Sequence, residues 1–208
     1  YSYRKQINSI YGAVNLGWKH MLYFDATLRG DQSSTLPISN NMYIYPSFSG
    51  SFVFSELLKL GDKLPYGKVR MSWAQVGSDT DPYQLGLVYT KSKFAYPGYT
   101  IGYISNGTIP NKDLKPTKTN SFEMGLELKF LKNRIGLDFT YYSQLSKNQI
   151  MGMASSSTSG YGYRLINAGE IENKGVEIAL NTRPIQTKDF SWHLNFNFSK
   201  NSNKVTKL

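Results

Sequence analysis

Few side chains in this sequence are typed and spaced for covalent chemistry. The only imidazoles are His20 and His193. His20 falls in a turn and His193 on the polar side of a strand. Neither has a serine, cysteine or carboxylate at the spacing of a nucleophilic triad or a metal site. Cysteine is absent, so disulfides and thiolate metal sites are excluded. Asp79-Thr80-Asp81 could offer carboxylates to Ca²⁺, but an ordinary Asx-rich loop is the plainer reading. The glycines match no phosphate-binding loop. Binding is therefore the chemistry expected here: no catalytic residue, cofactor or metal is assigned, and the chain does not read as an enzyme. The side chains best suited to binding are loop tyrosines: Tyr83, Tyr89, Tyr96, Tyr99, Tyr103, Tyr161 and Tyr163. Each joins a rigid apolar face to a hydroxyl, so it can contact a ligand or another protein. The alternative is that they pack the loops or form an interfacial aromatic girdle.

Those tyrosines must be held by strands. Aromatic residues make up 14% of the chain and charged residues only 18%, against about 25% charged in ordinary domains. Ile7 to Trp18 places Ile10, Gly12, Val14, Leu16 and Trp18 on one parity. Leu22, Phe24, Ala26 and Leu28 follow on one face of a second strand, against Tyr23, Asp25, Thr27, Arg29 and Asp31. Ile44, Pro46, Phe48, Gly50, Phe52 and Phe54 mark a third. Pro46 lacks a backbone donor and should sit near a strand end or bulge. Lys68 to Val76 reads as a fourth strand with Val69, Met71 and Trp73 on the apolar side.

The hairpin from Ser121 to Ser143 shows the pattern most clearly. Phe122, Met124, Leu126, Leu128 and Phe130 lie on one face, and Ser121, Glu123, Gly125, Glu127 and Lys129 on the other. After the polar turn Leu131-Lys132-Asn133-Arg134, the residues Ile135, Leu137, Phe139 and Tyr141 oppose Gly136, Asp138, Thr140 and Tyr142. A seventh strand is expected over Ile166 to Thr182, and an eighth over Phe190 to Ser199. Ser202 to Leu208 is expected to begin another loop. Trp18, Tyr43, Trp73, Tyr141 and Trp192 read as girdle or strand-packing residues.

Charges on one face of a strand are tolerable only where that face is wet. The connections also sort by length. Those at Lys19, Leu131 and Arg183 are short and the one near Gly61 is medium, whereas those starting at Gln32, Gly77 and Gln144 are long. Within the longest, Tyr83–Thr90 and Tyr99–Ile104 are expected to pair as a protruding hairpin. Strands of about ten residues with an apolar and a polar face, joined by alternating short and long connections, fit an antiparallel up-and-down transmembrane β-barrel segment of about eight strands. On that reading the short turns are periplasmic. A soluble or surface β-rich binding or adhesion module, or a membrane enzyme on a small barrel, are the alternatives. No apolar run approaches a membrane-spanning helix of about 20 residues. The mean hydropathy of −0.41 does not exclude a barrel, whose lumenal face and loops are polar.

The formal net charge is +10. Lysines scattered over turns and loops are the plain explanation, and nucleic acid or anionic lipopolysaccharide the sharper ones. No run of five Lys/Arg residues exists, so no nucleic-acid partner is expected. Tyr1-Ser2-Tyr3-Arg4-Lys5-Gln6 has no apolar core behind it, so no signal peptide is expected.

Several stretches are recognisable. Leu22-Tyr23-Phe24-Asp25-Ala26-Thr27-Leu28-Arg29-Gly30-Asp31-Gln32-Ser33-Ser34 resembles a strand of the SusC/RagA family of TonB-dependent outer-membrane transporters. Tyr45-Pro46-Ser47-Phe48-Ser49 and Lys68-Val69-Arg70-Met71-Ser72-Trp73-Ala74-Gln75-Val76-Gly77 resemble two more. Pro110-Asn111-Lys112-Asp113-Leu114-Lys115-Pro116 is similar to the family's N-P-D-L-K-W-E segment, with Lys112 and Pro116 as departures. Asp138-Phe139-Thr140-Tyr141-Tyr142 and Asn167-Ala168-Gly169-Glu170-Ile171-Glu172-Asn173-Lys174-Gly175-Val176-Glu177 resemble further family motifs in the same order. The resemblance implies a larger barrel of about 22 strands, with residues 1–208 as a partial barrel domain that lacks the plug, the TonB box and the C-terminal strands. It also implies an outer-membrane location in contact with lipid, a SusD-like surface lipoprotein as lid, TonB as the energy-coupling partner, and import of oligosaccharides or peptides.

Overall fold

The computed structural model describes residues 3–59, 61–87, 89–92, 97–104 and 107–208. Eight long strands form one antiparallel sheet. They are β1 (Ile7–Trp18), β2 (Leu22–Ser33), β3 (Met42–Val53), β4 (Tyr66–Ser78), β8 (Thr117–Phe130), β9 (Ile135–Lys147), β12 (Glu170–Gln186) and β13 (Ser191–Lys207), paired in that order. The remaining strands lie in the long connections. β5 (Tyr89–Lys91) pairs with β6 (Gly102–Ile104), and β10 (Ile150–Ala154) pairs with β11 (Tyr163–Asn167), which also takes β7 (Thr108–Ile109) in parallel. A short helix α1 (Phe54–Leu58) and a 3₁₀ turn at Gly61–Lys63 link β3 to β4.

The register converts the sequence alternation into two faces. Trp18, Leu22, Phe52, Val69, Leu126, Phe139, Ile178 and Phe198 are successive cross-strand partners across all eight strands. One residue along, the row reads Gly17, Tyr23, Ser51, Arg70, Gly125, Thr140, Glu177 and Ser199. A one-residue slip would exchange these rows, so the pattern pins the register. The first row starts at the foot of β1 and climbs to near the middle of β13, the stagger expected of a tilted barrel wall.

No core lies beneath this sheet. Among the described residues the buried apolar side chains are Leu36, Val53, Leu114 and Leu165, and only Val53 belongs to the eight strands. Trp18, Phe24, Met71 and Phe196 stand exposed on the apolar face. A water-soluble sandwich would bury such a continuous surface.

Local chemistry explains the short turns. Lys19 and His20 adopt φ of 48° and 54°, left-handed as at the centre of a tight β-turn, and the Met21 N–H donates to the Trp18 carbonyl at 3.0 Å, closing the three-residue connection to Leu22. Leu131, Lys132 and Asn133 are also left-handed, and Lys132 reaches Asp62 at 3.3 Å. The Phe54 ring rests on Gly67, where a Cβ would collide with it.

Several expected boundaries change. The seventh strand divides: Gly169, at φ 83°, separates β11 from β12, and β11 leaves the main sheet. Phe54 starts α1 rather than ending a strand, and β10 forms within the expected loop after Gln144. The segment expected to be a loop from Ser202 continues β13 to Lys207, because β12 still pairs with it there, Glu172 opposite Lys204. Pro46 sits inside β3 rather than at its end. The β3–β4 ladder begins only at Ser47–Ala74, so Pro46 faces β2 alone and its missing donor costs no bond on the other side. The hairpin expected between Tyr83–Thr90 and Tyr99–Ile104 forms, shortened to β5 and β6.

Candidate functional site

Two regions can hold a ligand: the polar face of the sheet and the cap of long loops above it. On the polar face, Arg70 of β4 reaches across β8 to β9. Its guanidinium donates to both oxygens of Asp138 at 3.0 Å each and to the Thr140 hydroxyl at 2.7 Å. This bidentate pair is possible because Gly125 lies directly between Arg70 and Thr140 in the register. A Cβ there would collide with the guanidinium. Lys68 pairs with Glu127 at 2.9 Å, and Lys129 approaches the same carboxylate at 3.7 Å. Higher up, Asp31 accepts from Arg29 at 2.8 Å and from the Tyr45 hydroxyl at 2.5 Å. Asp25 accepts from Asn15 and from Ser49. Each carboxylate in these clusters has a partner, and Asp138 and Glu127 stay partly exposed whereas Asp31 is buried.

Several concavities interrupt this face, two of them toward β12 and β13. One of about 440 Å³ is lined by Arg70, Asp138, Thr140, Glu177, Asn197 and Ser199. Glu177 has no ion-pair partner among the described residues. The other, about 390 Å³, lies at Gly136 and is basic, with Lys129, Arg134, Arg183 and His193 around it. His193 is thus a wall residue among cations, and His20 is a turn residue.

The cap has the chain's one packed apolar cluster among the described residues. Leu36 from the β2–β3 loop, Leu114 from the β4–β8 connection and Leu165 from β11 are buried together, with Tyr43, Leu85 and Ile150 against them. Three long connections are therefore one unit. The Asn167 side chain clamps two of them, accepting from Lys115 N–H and donating to the carbonyls of Lys115 and Asn148. Asp79 ties in the third and the segment before β1. It accepts from Lys5 at 2.6 Å, Ser33 at 2.5 Å and Thr35 at 3.1 Å. Burial pushes the Asp79 carboxyl up, but the hydrogen bonds from Lys5 and Ser33, the Lys5 charge and the Thr35 hydroxyl outweigh it and leave it below the usual carboxylate range. Lys5 and two hydroxyls thus satisfy this carboxylate.

The described loop tyrosines do not converge on one pocket. Tyr89 on β5, Tyr103 on β6 and Tyr99 beside them share the protruding hairpin, and Tyr89 and Tyr99 are 70% and 74% exposed. Tyr83 is left-handed at φ 66°, and its ring lies 6.3 Å from that of Tyr3. Tyr163 is exposed on β11, and Tyr161 is half-buried in the turn before it. The N–H groups of Gly162 and Tyr163 both donate to the Gly107 carbonyl, tying this turn to the same connection that carries the hairpin. Tyr96 lies outside the described residues. The girdle and packing residues are placed too. Trp18 lies under the Lys19 ammonium at 4.8 Å, Trp73 stacks on Phe48 at 6.1 Å, and Tyr43 meets Tyr45 edge-on at 5.2 Å.

Sequence reasoning placed Arg70 and Asp138 on one face but did not pair them. The available signal was a glycine at an inward position of a long strand, Gly125, flanked by Glu123 and Glu127. The leucine trio of the cap carried no periodic signal at all.

Comparison with known proteins bears on both regions. A family model described as "TonB dependent receptor-like, beta-barrel" matches residues 1–207. The TonB-dependent receptor SusC of Bacteroides thetaiotaomicron is 30% identical over 216 residues, covering 100% of this chain and 22% of its own length. The TonB-dependent receptor P3 of Formosa agariphila is 30% identical over 211 residues, covering 98% and 21%. This chain thus spans about a fifth of the length of the curated relatives it matches. Among solved structures, one described as the RagAB peptide transporter superposes with a TM-score of 0.90 at 25% identity, over 98% of this chain and 22% of that one. The siderophore receptor PirA of Pseudomonas aeruginosa shares the fold, with a TM-score of 0.62 at 20% identity over 97% of this chain and 35% of its own.

Proposed function

The chain belongs to the TonB-dependent receptor-like β-barrel family, and on that premise we propose that it forms wall and cap of an outer-membrane importer of nutrient oligomers. The observation that carries this reading is the pair of neighbouring rows across eight strands, one wholly apolar and one polar, with no core under either. The apolar face meets lipid, and the polar face lines a hydrated path. Arg70–Asp138 and Lys68–Glu127 are paired charges along that path. The open concavity beside Glu177 can exchange contacts with a polar solute.

The cargo is an oligosaccharide or a peptide, with RagAB, described as a peptide transporter, favouring the second. A SusD-like surface lipoprotein covers the cap, and TonB supplies the energy. Tyr83, Tyr89, Tyr96, Tyr99, Tyr103, Tyr161 and Tyr163 are the side chains proposed to meet cargo or lid. The exposed aromatic faces of Tyr83, Tyr89, Tyr99, Tyr103 and Tyr163 suit both tasks, because a tyrosine ring loses little conformational freedom on contact. The experiment is uptake of labelled oligopeptides and oligosaccharides by cells carrying the full-length protein, with and without TonB. TonB-dependent uptake of one class supports the proposal. Recovery of the protein in the soluble fraction after urea washing of the membranes would overturn it. Replacing Tyr89 and Tyr103 by alanine should weaken cargo or lid capture while leaving membrane insertion unchanged.

A further inference from the structure

The strand cations of the polar face are matched by carboxylates except at its foot. Arg29, Lys68 and Arg70 meet Asp31, Glu127 and Asp138 at 2.8, 2.9 and 3.0 Å. Beside the β8–β9 and β12–β13 turns, Arg134, Arg183 and His193 make no ion pair among the described residues. All three, with Lys129, line the concavity of about 390 Å³ at Gly136. Lys129 is partly engaged, 3.7 Å from Glu127 and 4.8 Å from the centre of the Tyr66 ring. Among the described residues no aspartate or glutamate lines this concavity. One step up the strands, Glu127 and Asp138 are held by Lys68 and Arg70. Glu123 and Glu177 stand higher still.

The backbone gathers these cations. Lys129, Gly136, Asn181 and Asn195 are successive cross-strand partners, so Gly136 leaves a gap in the row between a lysine and two amides. A Cβ at Gly136 would meet nothing nearer than Asn181, at 3.9 Å. Below that row the Arg183 N–H donates to the Arg134 carbonyl at 2.8 Å, which sets the two arginines at one level on neighbouring strands. On the other side of β12 the ladder passes from Thr182–Leu194 to Ile185–Trp192, so Arg183 and Pro184 together oppose His193. This is a β-bulge, which re-aims the side chains beside it. Pro184 suits it, because an unpaired residue need not donate to the ladder. Like charges set opposite one another are destabilising, and an anion between them removes that cost.

The shape and the donors select the ligand. A guanidinium presents a planar fork that matches a carboxylate at two points. The volume of about 390 Å³ falls within the range of about 300–1,000 Å³ of small-molecule sites, room for a carboxylate together with the residue that bears it. The side-chain amides of Asn181 and Asn195 each offer a donor and an acceptor, the complement of a peptide group. We propose that this concavity is a subsite for the free C-terminal carboxylate of an oligopeptide, held by Arg134 and Arg183 with His193 beside them, while Asn181 and Asn195 meet its last peptide group. The short turns put the subsite at the periplasmic foot of the polar face, where it receives cargo at the exit end of the path. The proposal rests on the importer reading above.

The test uses the full-length protein in phosphatidylcholine nanodiscs and equilibrium dialysis with radiolabelled tri-alanine, which has a free carboxylate, or tri-alaninamide, which lacks one. The wild type should bind the free acid about tenfold more tightly than the amide. Arg134→Gln/Arg183→Gln should abolish that preference and leave the affinity for the amide unchanged. Arg134→Lys/Arg183→Lys should keep part of it, because a point charge replaces the fork. Gly136→Leu fills the gap without removing a charge and should also abolish the preference. Lys132→Gln/Lys188→Gln, which removes equal charge from the turns of the same rim, should leave it unchanged. Equal binding of the two peptides by the wild type, a preference that survives in Arg134→Gln/Arg183→Gln or in Gly136→Leu, or its loss in the lysine pair would overturn the subsite while leaving the barrel reading intact. Failure of the wild type to enter any nanodisc would remove both.

Discussion

The wall and the cap are built from the same chain on different physical terms. The wall has almost no buried apolar side chain, and its strands are held by ladder hydrogen bonds, cross-strand pairs and the surrounding lipid. The cap has a small conventional core of Leu36, Leu114 and Leu165 and a buried polar hub at Asp79. The difference teaches that a substitution must be judged by the medium its side chain meets. An exposed leucine on the wall is already in its solvent, whereas a buried leucine in the cap has no substitute for its neighbours.

The sharpest break in this comparison is Leu114→Ala, which deletes a fully buried side chain of the cap. It should cost the cap about 2–5 kcal/mol. Limited proteolysis should then cut near residues 107–116 and 163–167 while membrane insertion is retained. Loss of insertion as well would show that wall and cap are one cooperative unit. Next in size is Leu126→Arg, in the middle of the apolar stripe of β8. It should impair assembly by about 2–4 kcal/mol, measured as the fraction folded into vesicles. Its neighbour Glu127→Gln removes only a partly exposed pair with Lys68 and should cost about 1 kcal/mol or less. Equal tolerance of the two would mean that the faces are reversed.

Gly125→Val should cost about 1–3 kcal/mol through overpacking against Arg70. It should also release Asp138, detectable by infrared spectroscopy of the carboxylate, with the apolar face undisturbed. The smallest effect expected is a pH effect confined to the cap. Asp79 lies below the usual carboxylate range when folded, so its ionised form contributes stability above the unfolded value of about 3.9. That contribution is lost as the pH falls through the folded value. Cap amide protection, corrected for intrinsic exchange, should hold from neutral pH down to about 4 and decline below it. In Asp79→Asn the decline should vanish. An unchanged decline would assign it to another carboxylate.

Much of the wall was legible beforehand. The two faces of β8 and β9 follow from alternation, and the Lys19-His20 turn matches the hairpin geometry found. The upper part of β13 was not legible. From Lys200 to Lys204 the residues are polar on both parities, so no alternation marks a strand, and only continued pairing with β12 extends it. Gly169 was equally opaque: a left-handed residue inside an alternating run reads as strand until the backbone turns there. The described candidate tyrosines lie in the long connections, Tyr89, Tyr103 and Tyr163 on short strands there, and sequence could not say that Tyr83 meets Tyr3.

By itself, the sequence determined the period-two faces, the sorting of short and long connections and the family. These are encoded locally, because each residue's face depends only on its position along its own strand. Tertiary structure decided which charges meet. Arg70 finds Asp138 two strands away only because the register sets Gly125 between them. It also decided that Leu36, Leu114 and Leu165, far apart in the chain and without periodic neighbours, form the cap's core. The physical reason is the same in both cases. A contact between distant segments depends on register and on a gap of the right size, and neither is a property of any single stretch of chain.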